Sequence, residues 1–171
     1  DLQAQIARWI GTDEPQSALL LSPPGYGKTT LLREWVRYFS DRGFTAAIAD
    51  ERSEIAALAD GVPQLAVGRC TDVMEGCSKW QAAVMLLKTM LPALLALDEI
   101  IAPEDAKAVS LCTHCGTAVI ACAHAAGLDD LRQRPIYREL LALGAFHQAV
   151  IIEKQDGQRV YRMERWEETK C

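Results

Sequence analysis

The chain has 171 residues, half of them apolar, and a formal net charge of −5. That length suits one domain with a full core. No stretch is apolar and charge-free enough to span a bilayer. The acidic balance, without a basic stripe, argues against strong nucleic-acid binding. The chain starts at Asp1 with no basic-then-apolar leader, so it reads as a trimmed or excised domain.

Residues Ala4 to Ile10 predict an amphipathic helix, and Ser17 to Leu21 a first core strand. A helix is expected over Thr29 to Asp41, closed by Arg42-Gly43. Thr45 to Ala49 is a short apolar strand ending at Asp50-Glu51-Arg52, and residues 53–77, interrupted by glycines and Pro63, read as mostly irregular. Lys79 to Met90 is helical until Pro92 breaks it. Ala93 to Leu97 is a strand ending at Asp98-Glu99, and Pro103 to Cys115 a helix with an early proline. Thr117 to Ala123 is a strand ending at His124, and Ile136 to Leu143 a helix. Phe146 to Glu153 and Arg159 to Arg165 predict a hairpin turning at Asp156-Gly157. Apolar strands alternating with helices predict an α/β fold, its mostly parallel sheet covered on both faces.

The run LLLSPPGYGKTT, Leu19 to Thr30, carries the chemistry. Strand, Gly/Pro-rich loop and helix follow in the order of a phosphate-binding P-loop. Glycines let backbone N–H groups turn inward and form an anion nest at a helix N-terminus. The nucleotide-binding residues expected are Ser22, Pro23, Pro24, Gly25, Tyr26, Gly27, Lys28, Thr29 and Thr30. Lys28 can reach the outer phosphates of ATP, and the Thr29 hydroxyl can sit on Mg²⁺. Ser22 stands where the strict motif has glycine, and fits without strain only if its φ is negative.

The apolar strand before Asp98 delivers that carboxylate at its C-terminal end, the edge where open α/β sheets bind ligands. Asp98 is the expected second Mg²⁺ residue, and Glu99 the general base toward an attacking water. Asp-Glu after a P-loop marks the additional-strand class, in which another strand lies between the Walker A and Walker B strands. Thr117 to Ala123 should be that strand. His124 at its end can sense the γ-phosphate or cap the next turn. Asp50 and Glu51 can order the attacking water or form a solvated charge cluster. Cys112-Thr113-His114-Cys115 lacks a second ligand pair, so these cysteines read as small apolar residues. An intracellular fold would keep the six cysteines reduced.

Beyond the P-loop, the strings DERSEIAA (Asp50 to Ala57), GVPQLAVGRCTDVMEGCSK (Gly61 to Lys79), LDEI (Leu97 to Ile100), ACAHA (Ala121 to Ala125) and RPIYRELLALGAFHQAV (Arg134 to Val150) resemble stage III sporulation protein AA. The resemblance runs from about Leu19 to about Val150. It implies a RecA-like P-loop NTPase core similar to the type II secretion and type IV pilus ATPases. In those proteins an aspartate box, a Walker B motif and a histidine box serve catalysis, and here Asp50-Glu51, Asp98-Glu99 and His124 would fill those places. The resemblance also implies a hexamer with ATP between subunits. It further implies a cytoplasmic, mother-cell location peripheral to the membrane, and channel proteins as partners. Residues 1–171 would be a single P-loop ATPase domain, with the family's N-terminal domain largely absent.

Three departures weigh on the nucleotide site, since the family usually has glycine at positions 22, 101 and 125, where Ser22, Ile101 and Ala125 stand. Arg52, Arg69 and Arg134 are candidate arginine fingers. A non-hydrolysing nucleotide-dependent interaction protein, a P-loop kinase and a DNA-associated RecA-like or AAA-type ATPase are the competing functions.

Overall fold

A computed structural model describes residues 1–166. Helix α1 spans Leu2–Ile10, capped by the Asp1 carboxylate and ended by Gly11 at φ 62°. The wholly buried strand β1 (Ala18–Leu21) leads through the P-loop into α2 (Lys28–Ser40), then β2 (Ala46–Asp50). A two-stranded ribbon, β3 (Leu58–Ala59) and β4 (Val62–Pro63), precedes β5 (Thr71–Glu75). Helix α3 (Lys79–Met90) is opened by a reciprocal capping box between Ser78 and Gln81. There follow β6 (Leu94–Glu99), α4 (Pro103–His114), β7 (Ala118–Ala123), α5 (Leu128–Gln133), α6 (Pro135–Ala142), β8 (Gln148–Gln155) and β9 (Gln158–Arg165).

The seven-stranded sheet has the order β5-β2-β6-β7-β1-β8-β9. Its pairings are parallel except β8 with β9. Strand β7 lies between β1 and β6, as expected for residues 117–123. Alternate residues along each strand feed two cores. Leu19 and Leu21 join Leu86, Val109 and Leu140 beneath α3, α4 and α6. Leu20 joins Ile6, Leu32, Trp35 and Phe39 beneath α1 and α2. Each such fully buried aliphatic side chain contributes about 1.5–3 kcal/mol relative to exposure.

Two elements correct the sequence reading. Strand β5 lies inside the segment read as irregular, pairing in parallel with β2 from Ala46↔Thr71 to Asp50↔Glu75. It is a half-exposed edge strand, so it carries no continuous apolar run to betray it. Helix α5 was not anticipated because its six residues are too few for a helical period to emerge.

Parallel pairing brings the C-terminal ends of β1, β2, β6 and β7 to one edge. In register, Leu21 faces Ala123. A bulge between Leu97 and Glu99 shifts the end of β6 so that Glu99 pairs with Cys122.

Candidate nucleotide site

The P-loop leaves β1 at Ser22, which is fully buried and donates its backbone N–H to the Ala123 carbonyl at 3.4 Å. Gly25 and Gly27 take φ values of 78° and 93°, which side chains disfavour. Ser22, Ile101 and Ala125 are not among the residues at positive φ. The three departures from glycine therefore carry no backbone strain. The Ser22 hydroxyl donates to the Pro23 carbonyl at 2.8 Å.

Lys28, 7% exposed, folds back onto its own loop. Its Nζ donates to the Ser22 carbonyl at 3.1 Å, the Ser22 hydroxyl at 3.2 Å and the Pro23 carbonyl at 3.2 Å. These acceptors are neutral. Burial pushes the Lys28 ammonium below its usual range, opposed by the nearby Glu99 carboxylate. Thr29 and Thr30 open the first turn of α2, while Pro23, Pro24 and Gly25 are exposed. The Tyr26 ring is half-buried, beneath the Lys154 ammonium 4.5 Å from its centroid.

Across β7, the carboxylates fall into two groups. Glu99 Oε1 lies 2.8 Å from His124 Nδ1, joining the end of β6 to the end of β7. Asp98, Glu51 and Asp105 surround Lys79 Nζ at 3.3, 2.9 and 3.5 Å. Lys79, 5% exposed, is the first residue of α3, and its ammonium is raised by these three acids against the effect of burial. Asp105 Oδ2 also accepts from the N–H groups of Ile101 and Ala102 at 2.9 Å each, capping α4. Burial raises the Asp98 carboxyl above its ordinary range, with Lys79 opposing. Asp98 Oδ1 is buried and faces the Lys79 ammonium at 3.3 Å. The Asp98 carboxylate at the end of β6 and the Thr29 hydroxyl in the first turn of α2 are hard oxygen donors, the chemistry that Mg²⁺ takes.

The Asp50-Glu51 pair divides. Fully buried Asp50 accepts from the backbone N–H groups of Glu54, Ile55 and Ala56 at 2.9–3.1 Å. It thereby holds a loop in which Ser53 and Ala57 take positive φ. Glu51, half-exposed, faces the cluster through Lys79. Sequence reasoning did not assign Lys79 or Asp105 to the site. A lysine opening a helix two residues after a cysteine gives no period, and only the tertiary fold faces it to Asp98.

The candidate arginine fingers are dispersed. Arg134 pairs with Asp130 at 3.0 Å. Arg69 donates to the Asp41 carbonyl at 3.1 Å, beyond the C-terminal end of α2, roughly 20 Å of helix from its own P-loop. Arg52 is exposed. Cys112 is buried and Cys115 exposed. Cys171 lies outside the described residues. A cavity of about 860 Å³, lined by Gly11, Ser17, Gly116 and His147, opens at the opposite edge of the sheet, away from these groups.

A strand-loop-helix turn, an Asp-Glu pair two strands away and a histidine just past the strand between them match the P-loop ATPase fold of the additional-strand class. Solved structures agree. The chain superposes on the Legionella pneumophila ATPase DotB with a TM-score of 0.66 at 16% identity, covering 94% of this chain and 47% of that one. It also superposes on the pilus retraction motor PilT, determined with bound ADP, with a TM-score of 0.64 at 15% identity, covering 88% and 47%. The family model described as "Sporulation stage III, protein AA" matches residues 3–163, and the chain belongs to that family. It is 34% identical over 154 residues to stage III sporulation protein AA of Bacillus subtilis, a match covering 87% of this chain and 48% of that protein. The chain thus spans about half the length of that relative.

Proposed function

We propose that this chain is a Mg²⁺-dependent ATP-hydrolysing domain of a motor-type ATPase. The observation that supports it best is the meeting of Lys28, Asp98, Glu99 and His124 at one strand edge, with Glu99 already held by His124 at 2.8 Å. Lys28 is bound only by neutral loop oxygens and can exchange them for the β- and γ-phosphates of ATP, a stronger charge-assisted pairing. The Thr29 hydroxyl and Asp98 would hold Mg²⁺, which when bound neutralises charge on the outer phosphates. Glu99 takes the proton of the attacking water. His124 fixes the Glu99 carboxylate and can report on the γ-phosphate beside it. Glu51, sharing Lys79 with Asp98, helps set the orientation of both acids. Catalysis of this kind rests on position and electrostatics.

By family kinship, the working state is a homo-oligomeric ring, a hexamer, in the mother-cell cytoplasm and peripheral to the membrane. It would drive conformational work on membrane channel proteins of spore formation. Nucleic acid is not the expected partner of a chain this acidic.

The test is calorimetric titration of ATP analogue into wild type and Lys28→Ala. The variant is expected to lose at least tenfold in affinity while keeping its thermal midpoint within a few degrees, since a lysine on the outer phosphates is their main point charge. Equal affinity in the two proteins would remove residues 22–30 as the nucleotide site.

A further inference from the structure

The β8–β9 hairpin reaches over the P-loop from the side opposite the carboxylates. Strand β8 pairs with β1 from Leu19↔Ala149 to Leu21↔Ile151. Strands β7 and β6 lie beyond β1 in the other direction. The hairpin turns tightly, with Asp156 at φ 50° and Gly157 at φ 78°, a two-residue turn matched to strand twist. It pairs Lys154 directly with Arg159.

The Arg159 guanidinium rests against Gly27. A Cβ on that glycine would lie 2.8 Å from the Arg159 Cζ and 3.1 Å from each terminal nitrogen. Lys154 extends over Tyr26, the preceding loop residue. Two cations therefore converge on one end of α2.

In the free protein this arrangement is electrostatically unfavourable in three ways. The N-terminus of a helix is its positive end, and cations there lower stability. Like charges directly opposite on paired strands repel. Arg159 has no ion pair or hydrogen bond among the described residues, and Glu153, the one acid of β8, pairs with Arg162 at 3.4 Å instead. A polyanion bound in the nest relieves all three.

We propose that Arg159 binds the part of the nucleotide that hydrolysis leaves behind, the α/β-diphosphate common to ATP and ADP. It is a cis-acting retention residue rather than a γ-phosphate finger. Topology decides between the two. Glu99 and His124, where the γ-phosphate must meet its water, stand on the β6/β7 side. Gly27 and Arg159 stand on the β8 side, with the P-loop between. The assignment rests on the P-loop reading given above.

The experiment compares ADP, a nonhydrolysable ATP analogue and inorganic pyrophosphate binding to wild type, Arg159→Ala, Arg159→Lys and Lys28→Ala, with thermal midpoints measured alongside. Arg159→Ala is expected to weaken all three ligands alike, by about tenfold, the scale of one charge-assisted hydrogen bond. Arg159→Lys should retain most of the affinity. Unchanged ADP affinity in Arg159→Ala would overturn the proposal. So would a loss confined to the ATP analogue, which would place the guanidinium on the γ-phosphate. If wild type binds none of the ligands, the P-loop reading itself fails. If Lys28→Ala loses binding while Arg159→Ala matches wild type, only the Arg159 assignment fails.

Discussion

On the β6/β7 flank of the P-loop every acid already has a partner, but the acids are in excess: Glu51, Asp98 and Asp105 share Lys79, and Glu99 is held by His124. On the β8/β9 flank, Arg159 and Lys154 crowd the same loop and neither makes an ion pair among the described residues, and Lys28 leans on neutral loop oxygens. The two flanks thus carry opposite imbalances. The carboxylate side holds four acids against one lysine and one histidine. The P-loop side holds three cations, Lys28, Lys154 and Arg159. The carboxylate side is also tied into the fold at several points, so its geometry persists without ligand.

The harshest way to break this comparison is Lys79→Met. It leaves three acids around a buried apolar tip, and removing one partner of a buried ionic group costs about 3–5 kcal/mol. Because Glu51 is half-exposed, the loss is expected near 3 kcal/mol, read by denaturant unfolding of the nucleotide-free protein. A loss under 1 kcal/mol would show that the carboxylate flank is not held together by Lys79. Smaller in energy is Glu99→Gln, which keeps the shape and an acceptor for His124. Hydrolysis should fall by roughly a hundredfold, about 2.7 kcal/mol of barrier, with nucleotide affinity unchanged. Single-turnover phosphate release measures it, and full activity would move the base role elsewhere.

The smallest effect sharpens the comparison instead. Cys122 on β7 forms the floor between the flanks, near both Lys28 and Glu99, and burial pushes its thiol up to about 12. Cys112 is likewise raised to about 12. Both stay protonated far above neutral pH, so neither is nucleophilic there. Thiol labelling of the folded protein at pH about 8 should modify exposed Cys115 and spare these two, with or without nucleotide. Rapid labelling of Cys122 in the nucleotide-free protein would mean that the floor itself opens.

Much of this was legible in the chain. The P-loop announced itself because its chemistry is local: glycines at positive φ, a lysine and a threonine must sit within a few residues of a strand and a helix. Asp98-Glu99 and His124 were legible because continuous apolar runs end at them, and strand ends gather at one edge in a parallel sheet. The place of residues 118–123 between β1 and β6 also followed from the class that the Asp-Glu pair implied.

What the sequence determined by itself is therefore what depends on near neighbours: the fold class, the strand-loop-helix turn over residues 18–40, and the strand ends that gather beside it. Tertiary structure alone decided the rest. Strand β5 exists because β2 offers an unpaired edge, not because its own residues demand a strand. Asp50, which looked like half of a catalytic pair, is consumed by loop amides. Lys79 meets Asp98, 19 positions away in the chain, only because α3 packs against β2, the strand beside β6. Arg159 reaches Gly27 only because a hairpin from the far end of the chain docks beside β1. Charges act through space, and no period or motif along the chain records which distant residues will share one low-dielectric pocket.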